Sequence, residues 1–115
     1  MTAVGVIMLK VVYVYDVVPG KAEEAKEWAR KKWIPFWTKQ PEVKGYEVYT
    51  HFFGPKGGVP VGSPQRMVTF DIDDLSSLDG ILTSREFAVL AQELQHYAIN
   101  LQFSIFRRSF PDEAD

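Results

Sequence analysis

The sequence predicts an α+β domain whose elements follow the order β-α-β-β-α-β. Three observations lead to this class. A run of β-branched and aromatic residues at positions 5–17 indicates a strand. Two segments, "KAEEAKEWARKKW" and "TSREFAVLAQEL", carry apolar residues three or four positions apart, which is typical of amphipathic helices. Three further stretches alternate apolar and polar residues, as half-buried strands do.

The first strand runs into the first helix almost without a loop. Both faces of the strand are largely apolar, which indicates that both are covered. Pro19 and Gly20 end the strand, and Gly20 is predicted to cap the helix with Glu23 at its third position. The helix is expected to end or kink before Pro35, because proline has no N–H to donate. Its inner stripe is Ala22, Ala25, Ala29, Trp33 and Phe36.

The second and third strands are predicted over residues 46–53 and 66–73. A Gly/Pro-rich stretch, "GPKGGVPVGSP", joins them as a hairpin loop. Alternation separates the faces. One face of the second strand carries Tyr46, Val48, Thr50 and Phe52, and the other carries Glu47, Tyr49, His51 and Phe53. The third strand likewise carries Val68, Phe70 and Ile72 on one face and Met67, Thr69 and Asp71 on the other.

The last third of the chain predicts a short helical turn, a second helix and a final strand. Asp73 or Asp74 is expected to begin the turn, and Thr83 and Glu86 are predicted to form a capping box for the helix. Residues 99–110 alternate again, with a charged, frayed tail at 111–115. One face of this strand carries Leu101, Phe103 and Ile105, and the other carries Gln102, Ser104, Phe106 and Arg108.

This order of elements is the split β-α-β arrangement of ferredoxin-like folds. Right-handed crossovers put both helices on one face of a four-stranded antiparallel sheet. The other face keeps a large patch of mixed apolar and polar side chains, which a monomer rarely exposes. We therefore expect a homodimer, or a multiple of it, in which two sheets pack face to face into an α/β barrel around a partly polar cavity.

Composition limits the classes of partner. The 115 residues form a single predicted domain, 1–115, and the net charge of -2 favours neither nucleic acid nor an anionic membrane. The absence of Cys excludes disulfides and thiolate chemistry. No signal peptide or membrane span is predicted, so we expect a cytoplasmic protein. We also expect no metal and no cofactor.

Three segments resemble the dimeric α/β-barrel superfamily: "VPGKAEEAKEW", "PEVKGYEVY" and "FDIDDLSSLDGILTSREFAVLAQEL". That group includes antibiotic-biosynthesis-monooxygenase-like, stress-responsive barrel, EthD-like and NIPSNAP-like proteins, and the resemblance covers residues 9–110. It implies the same fold and a range of activities, among them cofactor-free oxygenases and haem-degrading enzymes. The haem-degrading members use an Asn on the first strand, and residues 6–17 contain none, which argues against haem.

Two residues are the candidate catalytic pair. His51 is predicted on the dimer-facing side of the sheet, where it would act as a general base or orient a phenolic substrate; the alternative is a hydrogen-bonded interface histidine. Asp71 is expected to meet Glu47 and Arg108 as an acid/base pair, a substrate clamp or a plain ion-pair network. The candidate substrate-binding residues are Tyr13, Glu47, Tyr49, Phe53, Met67, Gln102, Phe106 and Arg108.

Other conspicuous residues have simpler interpretations. His96 is predicted to face solvent, opposite the apolar stripe of the second helix. The aromatic residues of the first helix are expected to be core, with an aromatic lip over the cavity as the alternative; they are Trp28, Trp33, Phe36 and Trp37. The loop "GPKGGVPVG" lacks the ending of a phosphate-binding loop and is expected to be a hairpin loop only.

These observations predict a protein that binds a small aromatic or apolar molecule in an inter-sheet cavity. Activity as a cofactor-independent, monooxygenase-like enzyme is one hypothesis. The alternatives are a ligand-binding or sensing module without catalysis and a structural dimerisation domain whose barrel is filled by Phe53, Met67 and Phe106.

Overall fold

The computed structural model describes residues 9–51 and 65–107. Four strands form one sheet: β1 (Leu9–Val17), β2 (Lys44–Thr50), β3 (Arg66–Ile72) and β4 (Ala98–Arg107). Helix α1 has three consecutive segments, Ala22–Trp28, Ala29–Trp33 and Ile34–Thr38; α2 is Leu75–Leu82 and α3 is Arg85–Leu94. The predicted hairpin loop, the charged tail and the outer ends of the first and last strands lie outside the described residues.

The sheet has the strand order β2-β3-β1-β4, and every neighbouring pair is antiparallel. This order confirms the predicted ferredoxin-like fold. The register fixes which side chains share a face. Val11 pairs with Phe70 on β3 and with Ile105 on β4, so these three lie on one side of the sheet. That side faces the helices, because Val11 and Phe70 are fully buried among helical side chains.

Helix α1 continues through Pro35 by means of a π-helical segment at Ala29–Trp33. The backbone N–H of Ile34 bonds to Ala29 O, five residues back. A wider turn here relieves the clash between the proline ring and the preceding carbonyls, so the helix does not end as expected. The turn also changes the phase of the helix. At 100° per residue, Trp28 and Trp33 would point about 140° apart, yet their rings stack at 5.5 Å.

The helix caps agree with the sequence in one case of three. Asp74 caps α2, where its Oδ1 accepts from the N–H of Ser77 at 2.8 Å. The prediction for α3 was wrong by one residue: Ser84, not Thr83, is the N-cap, and its Oγ accepts from the N–H of Phe87. Gly20 does not cap α1 either, because it adopts φ +82° in the preceding turn.

The core lies between the helices and the sheet. It includes all four aromatic residues of α1, which supports the core interpretation over the aromatic lip. The buried apolar residues are Val11, Tyr13, Trp28, Trp33, Phe36, Trp37, Val68, Phe70, Ile72, Leu78, Ile81, Leu90 and Leu94. His96 lies in the turn after α3 and is exposed, as predicted. No helix in the described part of the chain is long and apolar enough to cross a membrane.

The opposite side of the sheet, which we call the open face, is not covered by any described element. Across the four strands, Tyr49, Met67, Val14 and Gln102 form one row of neighbours. The side chains of Met67 and Phe106 are 37% and 55% exposed. Charged groups are interspersed, since Lys10 and Asp71 form an ion pair at 3.0 Å. The predicted mixed face therefore exists in the protomer.

The cap of α3 can be tested by two neighbouring substitutions. Ser84→Ala removes the acceptor for the N–H of Phe87, so the free energy of unfolding should fall by about 1 kcal/mol. Thr83→Ala removes only a hydroxyl that bonds back to Asp79 O, and should cost less than about 0.5 kcal/mol. Urea denaturation followed by circular dichroism measures both. A larger loss for Thr83→Ala would put the cap at Thr83.

Candidate functional site

The helix side of the sheet contains a cavity of about 400 Å³ between α1, α3 and the start of β4. We call it the aromatic cleft. Aromatic and aliphatic side chains form most of its walls, and the polar residues lie at the β4 end. Its lining consists of Tyr13, Trp33, Trp37, Phe87, Ala91, Leu94, Gln95, Ala98, Ile99, Asn100, Leu101 and Phe103.

The cleft exists because none of the described helices covers the inner row of β4. Helix α3 ends at Leu94, and a tight turn with a 2.9 Å bond from Tyr97 N–H to Leu94 O leads directly into the strand. Leu101 and Phe103 point to the helix side but remain 47% and 41% exposed. Phe103 stacks on Tyr13 with ring centroids 6.1 Å apart. An uncovered edge strand beside the core thus leaves an apolar groove.

One end of the cleft is fixed by a polar network. Asn100 has φ +58°, a left-handed conformation that is uncommon outside glycine, and the β1–β4 register shifts nearby, between Val14 and Asp16. The Nδ2 of Asn100 donates to Asp16 Oδ2 at 2.9 Å. The other oxygen of Asp16 accepts from the N–H of Gln65 at 2.9 Å. These bonds hold Asn100 in place at the cleft.

Two of the residues that line the cleft, Tyr13 and Trp33, belong to a chain of three hydrogen-bonded side chains. The Nε1–H of Trp33 donates to the hydroxyl oxygen of Tyr13 at 2.8 Å. The Tyr13 hydroxyl in turn lies 2.8 Å from the hydroxyl of Tyr46. Trp33 comes from α1, Tyr13 from the central strand β1 and Tyr46 from the edge strand β2. The chain therefore ties three elements together within the core.

Burial controls the ionisation of both phenols. It is the main reason why the pKa of Tyr13 lies well above its usual value. It also raises the pKa of Tyr46 to about 12, although the hydrogen bond with Tyr13 acts in the opposite direction. Both residues therefore keep their protons at neutral pH. Neither phenol can serve as a general base there, but each can donate a hydrogen bond.

His51 and Asp71, the predicted catalytic pair, lie at opposite ends of the sheet in the protomer. His51 follows β2, where its N–H bonds to Gln65 O at 2.9 Å. It is half-buried beside the β1–α1 turn. Asp71 is six residues beyond Gln65 on β3, which is about 20 Å along a strand. A single protomer does not bring the two side chains together, and their catalytic role stays a prediction.

The candidate substrate-binding residues do not share one surface. The register puts most of the described candidates on the open face: Glu47, Tyr49, Met67, Gln102 and Phe106. There the Tyr49 hydroxyl donates to Glu47 Oε1 at 2.8 Å, a bond that raises the pKa of Tyr49. Tyr13 lies on the other side, under the helices, and so does not face the predicted inter-sheet cavity. Phe53 and Arg108 lie outside the described residues. The role of the open-face residues in ligand binding stays a prediction.

Tyr46 was not predicted as a hydrogen-bond partner of Tyr13. A signal was present, because Tyr46 shares a strand face with Val48, which the register puts on the core side. A tyrosine at a core position needs a partner for its hydroxyl. Two such tyrosines on strands separated by one other strand are candidates to pair with each other.

The side chains that line the described part of the cleft are mostly apolar. No Asp, Glu or His lines it within residues 9–51 and 65–107. Across the same ranges, no three metal-ligating side chains come together in one group. Flat, apolar walls with a few amide groups at one end suit an aromatic or aliphatic molecule that carries one or two polar atoms.

Comparison with known proteins supports the fold. No family model and no curated protein matches the chain. An EthD-family protein from Bacillus halodurans has a TM-score of 0.70 at 19% identity, covering 89% of this chain and 99% of that one. The hydroxynitrile lyase of Passiflora edulis has a TM-score of 0.74 at 10% identity, covering 90% and 97%. A dimeric ferredoxin-like protein from Thermobifida fusca has a TM-score of 0.63 at 13% identity, covering 89% and 92%.

Sequence identities this low support a conclusion about the fold alone. The neighbours are an EthD-family protein, a lyase and a dimeric ferredoxin-like protein, and each aligns over most of its own length. At the level of the fold, the chain is therefore similar to an EthD-family protein and to a dimeric ferredoxin-like protein, and the ferredoxin-like fold predicted from the sequence is confirmed.

Proposed function

We propose that this protein binds a small, mainly apolar molecule in the aromatic cleft and does so as a homodimer. The observation that carries the proposal is the cleft itself: a cavity of about 400 Å³ with a continuous aromatic wall. Its volume lies within the range of small-molecule sites, about 300–1,000 Å³. A ligand of one or two fused rings would fit in a cavity of this volume.

Ring contacts support an aromatic ligand in particular. Trp33, Trp37 and Phe87 lie within about 6 Å of one another at inclined angles, so their faces and edges are held in fixed positions. Aromatic pairs gain about 0.5–1.5 kcal/mol beyond the burial of area when faces and edges are offset in this way. A rigid wall also loses little entropy on binding.

The same cleft favours binding over oxygenase chemistry. A cofactor-free oxygenase has to remove a proton from its substrate before oxygen reacts, which needs a base near the substrate. The polar side chains of the described lining are the phenol of Tyr13, which stays protonated, two indoles, and the amides of Gln95 and Asn100. The fold itself is compatible with catalysis, since the hydroxynitrile lyase shares it. Monooxygenase-like activity and the inter-sheet site therefore stay predictions.

The homodimer is supported by the open face. Apolar side chains from three strands lie there, among them Val12, Val14, Met67 and Phe106. Burying such a surface in a second copy removes it from water, and face-to-face packing of sheets is a common solution. A protein with this fold from Thermobifida fusca is described as dimeric.

Ligand binding can be tested with 2-naphthol as the probe. It should quench tryptophan fluorescence, because Trp33 and Trp37 line the cleft. Ala91→Leu adds three carbons to the cleft wall and should weaken naphthol binding at least tenfold. Ala88→Leu is the matched control, since Ala88 is exposed on the same helix and should leave binding unchanged. Equal affinities in the two variants would contradict the proposed site. Oxygen consumption in the same samples would instead support the oxygenase.

The dimer can be tested with a charge on the open face. Val14 is flanked by Met67 and Gln102, so Val14→Asp would bury a carboxylate in the interface. Analytical ultracentrifugation should report a dimer for the wild type and a monomer for the variant. Val89→Asp on the exposed side of α3 should remain dimeric. A wild-type monomer at micromolar concentration would rule out the barrel.

A further inference from the structure

A second cavity, of about 580 Å³, lies between α1 and the sheet on the other side of Trp33. We call it the arginine pocket. Three neighbouring residues form one end of it, Tyr15 on β1, Arg66 on β3 and Thr50 on β2, which pair directly across the strands. Tyr46 adds a further hydroxyl, and Trp33 is shared with the aromatic cleft. The pocket is thus rich in hydrogen-bond donors.

The pocket is open because α1 has small side chains above it. Ala25 and Ala29 line the pocket and are half-buried, while the sheet below presents Val48 and Val68. These residues do not fill the space between the layers. The next inward side chain of the helix is Trp33, which closes the pocket toward the cleft. Apolar side walls and a polar end result from this arrangement.

Arg66 is the central charge of the pocket. It is half-buried, and within the described residues it forms no salt bridge. Its one described bond is a 3.3 Å contact from Nη1 to the backbone oxygen of Gln65. Residues 52–64, which precede it, contain no Asp or Glu. A guanidinium carries five N–H donors, so most of those of Arg66 are available to a ligand.

The other charges of the pocket lie on α1. There Arg30 donates hydrogen bonds to both carboxylate oxygens of Glu27. Glu23 and Lys26 also line the pocket, are exposed, and have opposite signs. Their opposite charges largely offset each other, which leaves Arg66 as the uncompensated positive charge at its end of the pocket. The effect reaches Tyr15, since burial raises the pKa of this phenol and the charge of Arg66 opposes the shift.

Tyr46 contributes a hydrogen-bond donor through the chain that ends on it. The oxygen of Tyr13 already accepts from Trp33, so the cooperative arrangement has Tyr13 donating to Tyr46. The proton of Tyr46 is then left for a further acceptor. Because the pKa of Tyr46 is about 12, that proton is present at every physiological pH.

We infer that the arginine pocket is a separate binding site for a small monocarboxylate with an apolar body. Arg66 would hold the carboxylate through two parallel N–H bonds, the strongest geometry available to this pair. The hydroxyls of Tyr15 and Tyr46 would complete the acceptor contacts, and the apolar body would lie along Val48 and Ala29. This inference is independent of the aromatic cleft, because the sites share only Trp33 and need different ligands.

The test compares 3-phenylpropanoate with its neutral amide, 3-phenylpropanamide, by isothermal titration calorimetry. The carboxylate should bind wild-type protein at least tenfold more tightly than the amide. In Arg66→Gln the affinity for the carboxylate should fall to that for the amide, while the affinity for the amide stays within twofold. Arg85→Gln is the matched control, since Arg85 is exposed on α3 and should not matter.

A second variant separates the site from the fold. Ala25→Leu keeps a helix-forming residue but fills the pocket, so it should abolish binding of both compounds and leave 2-naphthol binding intact. Ala91→Leu should weaken 2-naphthol binding and leave the binding of 3-phenylpropanoate and its amide intact. Preference for the carboxylate that survives in Arg66→Gln, or wild-type affinity for the carboxylate in Ala25→Leu, would overturn the inference. If the wild-type protein binds the carboxylate as expected but does not bind 2-naphthol, the result would count against the aromatic cleft and not against the arginine pocket.

Discussion

The structure depends most on three polar side chains beneath α1 that hydrogen-bond to one another. Trp33 and Tyr13 are buried and Tyr46 is half-buried in the layer between α1 and the sheet. An unpaired polar group in such a place costs about 1–3 kcal/mol. Their two hydrogen bonds therefore fix the position of α1 relative to β1 and β2. The same bonds divide the space under the helix into an apolar cleft on one side and a polar pocket on the other.

This requirement gives the π segment of α1 a structural role. A regular helix that buries Trp28 would turn the Trp33 indole away from Tyr13, and it would meet the carbonyl clash caused by Pro35. One wider turn removes both conflicts. It also lets Trp28 bond to Glu93 on α3 at 2.8 Å while Trp33 bonds to the sheet. Two indoles of one helix thereby anchor it to two different elements.

Sequence patterns predicted what depends on short-range periodicity. The alternation in residues 66–73 assigned Val68 and Phe70 to one face, and the structure agrees. Asp74 could be recognised as a cap because capping is local. The π segment could not be predicted from a period of 3.6 residues, and neither could the cavities. A cavity reflects the volumes left between distant residues, such as Ala25 on α1 and Val48 on β2. The separation of His51 from Asp71 depends likewise on the register of β2 against β3, which no single strand encodes.

The two sides of the sheet have different side-chain compositions and different proposed roles. The open face mixes Met67 and Phe106 with the Lys10–Asp71 ion pair, a composition suited to a specific contact between surfaces. The helix side has the cavities and the only described cluster of protonated phenols. Because β1 contributes Val14 to the open face and Tyr13 to the helix side, one central strand would serve both the proposed dimer and the proposed ligand site. A ligand in the cleft would contact the helix side of β1 and β4 without touching the open face. Any coupling between ligand binding and dimerisation would therefore pass through those strands, of which β1 is paired with both neighbours.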